Sequence, residues 1–324
     1  MTPTVPKHHY ILAGALLLLL AGFAVMSLYM RRGVSAEVSH LVPAPTPSVE
    51  ATTTPLRILL VGDMFFDRFI RYQMSIEGPD YPFACIDPLF KSVDFVVGNL
   101  EGPITSNNSI SLGSIPGSAH NYVFTFATTT AEVLARHNVR AVSLGNNHIL
   151  NFGRDGMAQT HTYLDQAGVG YFGGVAGDEP IYRVERGVRL SFIAYNQFGG
   201  ASADEVAERI REEAQLGRMV IVFSHWGTEY STSVEDTRPA ALLFAESGAS
   251  AIIGSHPHVV GQHEMLGDVP VYYSLGNFIF DQYFSSATQH GLALLLTIDT
   301  NKSISIQEYP VELERTGQTC LTTN

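Results

Sequence analysis

Lysine is nearly missing from this chain: Lys7, Lys91 and Lys302 are the only three in 324 residues. The 19 basic side chains face 31 acidic ones, for a formal charge of −12. No basic tract or stripe exists, which excludes nucleic-acid binding by phosphate neutralisation. No G-x-x-x-x-G-K-[S/T] loop occurs and no G-x-G-x-x-G opens a helix, so the common nucleotide cradles are absent as well. Cysteine is scarce. Cys85 and Cys320 are too few for a disulfide framework or a zinc ribbon, and Cys320 sits in a polar stretch, TGQTCLTTN, so both are expected to be unpaired. Charged residues make up only 15% of the chain and hydrophobic ones 45%, enough for one large domain or two modest ones.

Charge is wholly absent from residues 11–30, ILAGALLLLLAGFAVMSLYM. A helix needs about 20 apolar residues to span a bilayer. Arg31 and Arg32 follow directly, VSA at 34–36 is separated from the apolar core, and no lipobox cysteine follows. The expectation is an uncleaved, single-pass anchor after a short tail, 1–10. Lys7 and the amino terminus nearly balance Arg31 and Arg32, so the positive-inside rule leans only slightly, toward a cytoplasmic C-terminal side. Residues 31–55 are rich in Pro, Ser and Thr and read as a disordered tether. A globular domain over 56–315 and a polar tail over 316–324 complete the expected organisation.

Within 56–315, short apolar runs alternate with helical patterns. LRILLVGD (56–63), SVDFVVGNLEG (92–102), VRAVSLGNNH (139–148), VRLSFIAYN (188–196), RMVIVFSHWG (218–227) and ASAIIGSHPH (249–258) read as strands. Helical spacing marks 128–138, 154–168, 203–217 and 237–248. This rhythm predicts an α/β layered fold. VPVYYSLGNFIFD (269–281), LALLLTID (292–299) and SISIQEYPVEL (303–313) add late strands, which suggest a second sheet or the outer half of a sandwich.

Strand after strand ends in a group able to hold a metal: Asp63, Glu101, Asn147 with His148, His225, and His256 with His258. Ligand sites of α/β sheets gather beyond the carboxyl ends of strands, so five segments converge on one crevice. Carboxylates, a carboxamide and imidazoles suit Mn, Zn or Fe better than Ca. One or two ions fit, since a shared carboxylate bridges two ions about 3.5–4 Å apart. An extended His-Pro-His would point its rings to opposite sides unless a turn at Pro257 redirects them. Glu229 is a base, an orienting group or a ligand. Asn277 is a substrate-side group. Trp226 and Phe278 either wall the pocket or pack in the core. Arg68 is either an anion clamp or a surface helix residue. Asn146 reads as a turn former. The Gly/Ser-rich stretch 107–124 reads as a surface loop or a flap over the site.

As an ordered set, GDMFFDR, VVGNLEGPIT, SLGNNHILNFG, SHWGTEY, GSHPHVVG and YSLGNFIFD resemble the CapA family of capsule-synthesis proteins, implicated in making or attaching poly-γ-glutamate. That family is related to the calcineurin-like metallophosphoesterases. The resemblance therefore implies a double β-sheet sandwich flanked by helices. It implies one ion held by Glu101, Asn147, His225 and His256, and another by Asp63, Glu101 and His258. His148 would be the general acid or transition-state donor. The second ion is one ligand short, because Phe65 stands where the phosphoesterase pattern has histidine. The resemblance also implies an anionic polymer or cell-wall substrate, capsule-synthesis partner subunits, and a domain held outside the cytoplasm on its anchor, against the slight charge bias.

Overall fold

The computed structural model describes residues 54–175 and 180–322. The expected anchor at 11–30 and nearly all of the tether lie outside them. No helix among the described residues is long and apolar enough to cross a membrane.

The chain opens with β1 (Leu56–Met64), in which alternate residues serve two different cores. Leu56, Ile58 and Leu60 face one way, Leu59 and Val61 the other, and all are buried. Burial on both faces explains why the strand reads as one continuous apolar run. Beside it run β2 (Phe95–Leu100), β3 (Val139–Ser143) and β4 (Gly170–Phe172), all parallel. Helices α1 (Arg68–Glu77), α2 (Asp87–Lys91), α3 (Thr130–Arg136) and α4 (Gly153–Ala167) connect these strands. They bury Ile70, Phe90, Leu134 and Leu164 against the sheet's outer face.

The second sheet comprises β5 (Ile181–Glu185), β6 (Val188–Asn196), β7 (Met219–His225), β8 (Ala249–Ser255), β9 (His263–Leu266) and β10 (Val269–Tyr272), in the order β5-β6-β7-β8-β10-β9. Helices α5 (Ala203–Gln215) and α6 (Arg238–Glu246) cover its outer face with Val206, Ile210, Ala241 and Phe244. A Ser202–Glu205 capping box starts α5. Between the sheets, Ile58, Leu60 and Phe95 meet Phe192, Ile221 and Phe223. Each such side chain contributes about 1.5–3 kcal/mol on burial. The layers run helix, sheet, sheet, helix, as expected.

The C-terminal third divides between the two sheets, with β9 and β10 in the second one. β12 (His290–Ile298) and β13 (Ile304–Leu313) do not build a second sheet; they extend the first one antiparallel from β1. The stretch 269–281 is not one strand. β10 ends at Tyr272, and β11 (Asn277–Ile279) crosses over to pair with β1, setting Asn277 beside Asp63. Gly276 makes that crossing at φ +69°, with His290 O and Val259 C each 3.1 Å from where a Cβ would stand. Short α7 (Ser286–Gln289) follows.

The polar tail is not a free end either. β14 (Thr319–Leu321) pairs with β13 at the sheet edge, and Cys320 forms a disulfide with Cys85. The expectation of unpaired cysteines is thus corrected. The partners lie 235 residues apart, and only the tertiary fold brings them together.

Candidate metal centre

The carboxyl ends of β1, β2, β7 and β8 deliver Asp63, Glu101, His225 and His256 to one place, and all four are buried. Two groups could each hold an ion: Asp63, Glu101 and His225 in one, Glu229, His256 and His258 in the other, with ligand atoms within 4.8 Å of one another in each. The groups adjoin. The His225 and His256 rings are 4.8 Å apart, and His258 Nδ1 is 3.3 Å from Asp63 Oδ2. The His-Pro-His turn answers the problem of opposed rings. His256 and His258 take φ of +94° and +58°, and their centroids come within 6.0 Å. The His256 amide also donates to Asp63 Oδ2 at 3.2 Å, so backbone and side chain both serve the site.

The supporting hydrogen bonds name residues that sequence reasoning missed. Asn99 donates to Asp63 Oδ1 at 2.7 Å and also to Glu101 Oε2, holding both carboxylates with one amide. Asn146, read as a turn former, donates to Asn99 Oδ1 and Leu100 O and accepts from the His148 amide. Ser255 contacts His225 Nδ1 at 3.0 Å, and Asn147 Oδ1 lies 3.0 Å from His225 Nε2. Metal-bound histidines commonly have their second nitrogen anchored in this way. An Asn two residues before the Glu of NLE was the available signal for Asn99.

Asn277 reaches His258 rather than open cleft. Its amide nitrogen donates to Thr288 O and Gln282 Oε1, which turns its oxygen onto His258 Nδ1 at 2.9 Å. Trp226 is fully buried on the helix side of the second sheet, donating to Tyr273 O at 2.9 Å. Gly254 beneath it has no room for a Cβ, which would stand 1.9 Å from Tyr273 O. Phe278 packs in the opposite core against Phe90. Phe65 lies in an aromatic box, stacked on Phe280 at 4.5 Å and edge-on to Phe124. Arg68 lies over Phe65 and forks onto Asp281, with a further bond to Asn121 O. Its charge is therefore already engaged. The 107–124 stretch is tied down where Ser111 donates to Asp67, and it forms one wall of an open cleft of about 540 Å³ beside the cluster.

Protonation follows from burial. Desolvation pushes His148 and His256 down to about 4 and His225 well below its usual value, so the imidazoles are neutral, the form that binds metals. Burial and then the Asp63 charge push Glu101 well above the carboxylate range. Burial also pushes Asp63 up, but hydrogen bonds from His258 and Asn99 outweigh it and keep Asp63 low. Two buried carboxylates together are stable as anions only beside positive charge. Glu101 Oε1 and His256 Nδ1 are buried without hydrogen-bond partners. Two orphaned acceptors among carboxylates and neutral imidazoles fit a divalent cation. His148 Nδ1 lies 3.1 Å from Asn151 Oδ1, which already accepts from the Phe124 amide. Nδ1 is then the donor, which leaves Nε2 of the neutral ring as a proton acceptor.

A two-sheet sandwich with acid, amide and histidine groups at its strand ends defines a class of protein, and the comparisons narrow it. The bacterial capsule synthesis protein PGA_cap family matches over residues 57–282, and the chain belongs to that family. Two CapA proteins are similar to it. The PGA biosynthesis protein CapA of Bacillus subtilis (strain 168) is 28% identical over 260 residues, covering 74% of this chain and 67% of the relative. The capsule biosynthesis protein CapA of Bacillus anthracis is 26% identical over 264 residues, covering 74% of this chain and 63% of the relative. The chain thus spans about two thirds of their length.

Proposed function

We propose that this protein is a CapA-like component of capsule synthesis or attachment, tethered to the cell membrane by residues 11–30 with its globular domain outside the cytoplasm. In this reading it works as a metal-dependent hydrolase or transferase. The observation that carries the chemistry is the pair of orphaned buried acceptors, Glu101 Oε1 and His256 Nδ1, inside a ring of carboxylates and neutral imidazoles. Asp63, Glu101 and His225, joined by Asn147, would hold one ion of Mn, Zn or Fe. His256, His258 and Glu229 would hold a second, with Glu229 making good the histidine that Phe65 replaces. A divalent ion there supplies the charge that polarises a phosphoryl or acyl oxygen and acidifies water. His148 takes a proton at Nε2 from the attacking hydroxyl and returns it to the leaving group. Asn99 and Asn146 keep both carboxylates aimed. An anionic polymer or a cell-wall acceptor is the substrate in this reading, handled together with partner subunits of the capsule machinery. The Cys85–Cys320 disulfide supports an oxidising, exported setting.

The test is turnover of an aryl phosphate ester by the full-length protein with Mn. Activity lost with chelator and in His148→Ala, where metal content is retained, supports catalysis. No turnover with any metal, together with full capsule function of His148→Ala in cells, favours a second reading, a non-catalytic polymer-binding subunit. Phe65, in place of a histidine ligand, is the observation on that side.

A further inference from the structure

The cleft beside the cluster has an unusual lining. Tyr72, Tyr122, Tyr230 and Phe284 border it, each about half exposed or more. Aromatic rings left in water around a concavity are a recognition surface rather than a core. The volume, about 540 Å³, falls within the usual ligand-site range of about 300–1,000 Å³.

Charge argues against a polyanion in this cleft. Among the described residues that line it, Arg68 is the one cation, and it is neutralised by Asp281. A run of carboxylates would find no unengaged cation there, and the chain's formal charge of −12 repels it. What the lining offers is aromatic faces edged by neutral amides and hydroxyls. Asn121 joins Ser114, and Gln282 joins the Tyr230 hydroxyl at 3.3 Å. A sugar ring has the matching chemistry, with C–H groups across one face and hydroxyl or acetamido groups at its rim.

We propose that this cleft binds an uncharged glycan chain. Its inner end leads to the cluster, since the Tyr230 ring lies 6.1 Å from His258 and Gln282 hydrogen-bonds Asn277, which orients His258. Binding the glycan as a group-transfer acceptor rests on the metal-centre reading; binding itself does not.

The experiment titrates the full-length protein in detergent with an N-acetylglucosamine tetramer and, separately, with a γ-linked glutamate oligomer, by calorimetry. We expect saturable binding of the tetrasaccharide that is insensitive to salt. Loss of two stacking rings in Tyr72→Ala/Tyr122→Ala should weaken it roughly tenfold, with Tyr72→Phe/Tyr122→Phe close to wild type. Metal content is measured on the same samples. The proposal is overturned if folded protein does not bind the tetrasaccharide, or if the alanine pair leaves binding unchanged. It is also overturned if the glutamate oligomer binds and that pair abolishes its binding. If the metal is absent but the tetrasaccharide still binds at these tyrosines, the metal-centre reading fails and the cleft proposal stands.

Discussion

Cutting the Cys85–Cys320 bond tests the fold where the sequence was least informative. The bond closes a loop of 235 residues and fastens β14 to the segment leading into α2. The chain-entropy relation for such a loop gives about 5 kcal/mol, and native disulfides commonly deliver about 2–4 kcal/mol. We expect Cys85→Ser/Cys320→Ser to lose about 3 kcal/mol. For a domain of this size that lowers Tm by roughly 6–12 °C. Cys85 is exposed and Cys320 half-buried, so a mild reductant should reproduce the loss in the wild type and leave the variant unmoved. The assay is thermal unfolding followed by far-UV circular dichroism, with thiol titration of the denatured protein. Two titratable thiols in protein purified without reductant, or a stability loss under about 1 kcal/mol, would refute the reasoning.

Phe65→His, which restores the histidine of the phosphoesterase pattern, should not add a ligand. Phe65 sits among Phe124, Phe126 and Phe280 under Arg68, so an imidazole there is left unsatisfied at a cost of about 1–3 kcal/mol, with metal content unchanged. A gain in metal affinity measured by competition with a chelator would show the reading of that box to be wrong. Acid sensitivity comes from elsewhere. Burial raises Asp80 and Asp87, but hydrogen bonds from Arg136 and His137 to the first, and from Lys91 and His137 to the second, hold both below 3.8. Their folded values are depressed, so their stabilising contribution is present above the unfolded carboxylate value and is lost as pH falls below about 4. Denaturant midpoints of Asp80→Asn/Asp87→Asn across that range should fall less steeply than the wild type's; parallel curves would exclude the pair.

Much of the layered fold was legible because buried parallel strands announce themselves as apolar runs, as in LRILLVGD and RMVIVFSHWG. The strand-end groups Asp63, Glu101, His225, His256 and His258 were legible for a related reason, since polar groups directly after such runs fall at sheet ends. What stayed hidden depends on contacts distant in sequence. Asn99 and Asn146 look like ordinary polar residues until they are seen sharing hydrogen bonds with Asp63, Glu101 and His148. The crossing at Gly276, which takes Asn277 into the other sheet, leaves no periodicity signal. Trp226 follows His225 directly but faces the opposite side of its strand, which alternation explains only once the burial of both faces is known. Cys85 and Cys320 meet only because β13 and β14 extend the first sheet.

The most direct test of the central claim is elemental analysis of the purified full-length protein beside His225→Ala and His256→Ala/His258→Ala. The account predicts about one or two equivalents of Mn, Zn or Fe in the wild type. Both variants should have lost metal while keeping the disulfide and the far-UV spectrum. A wild-type protein that carries no transition metal, and takes up none when incubated with Mn or Zn, would contradict it.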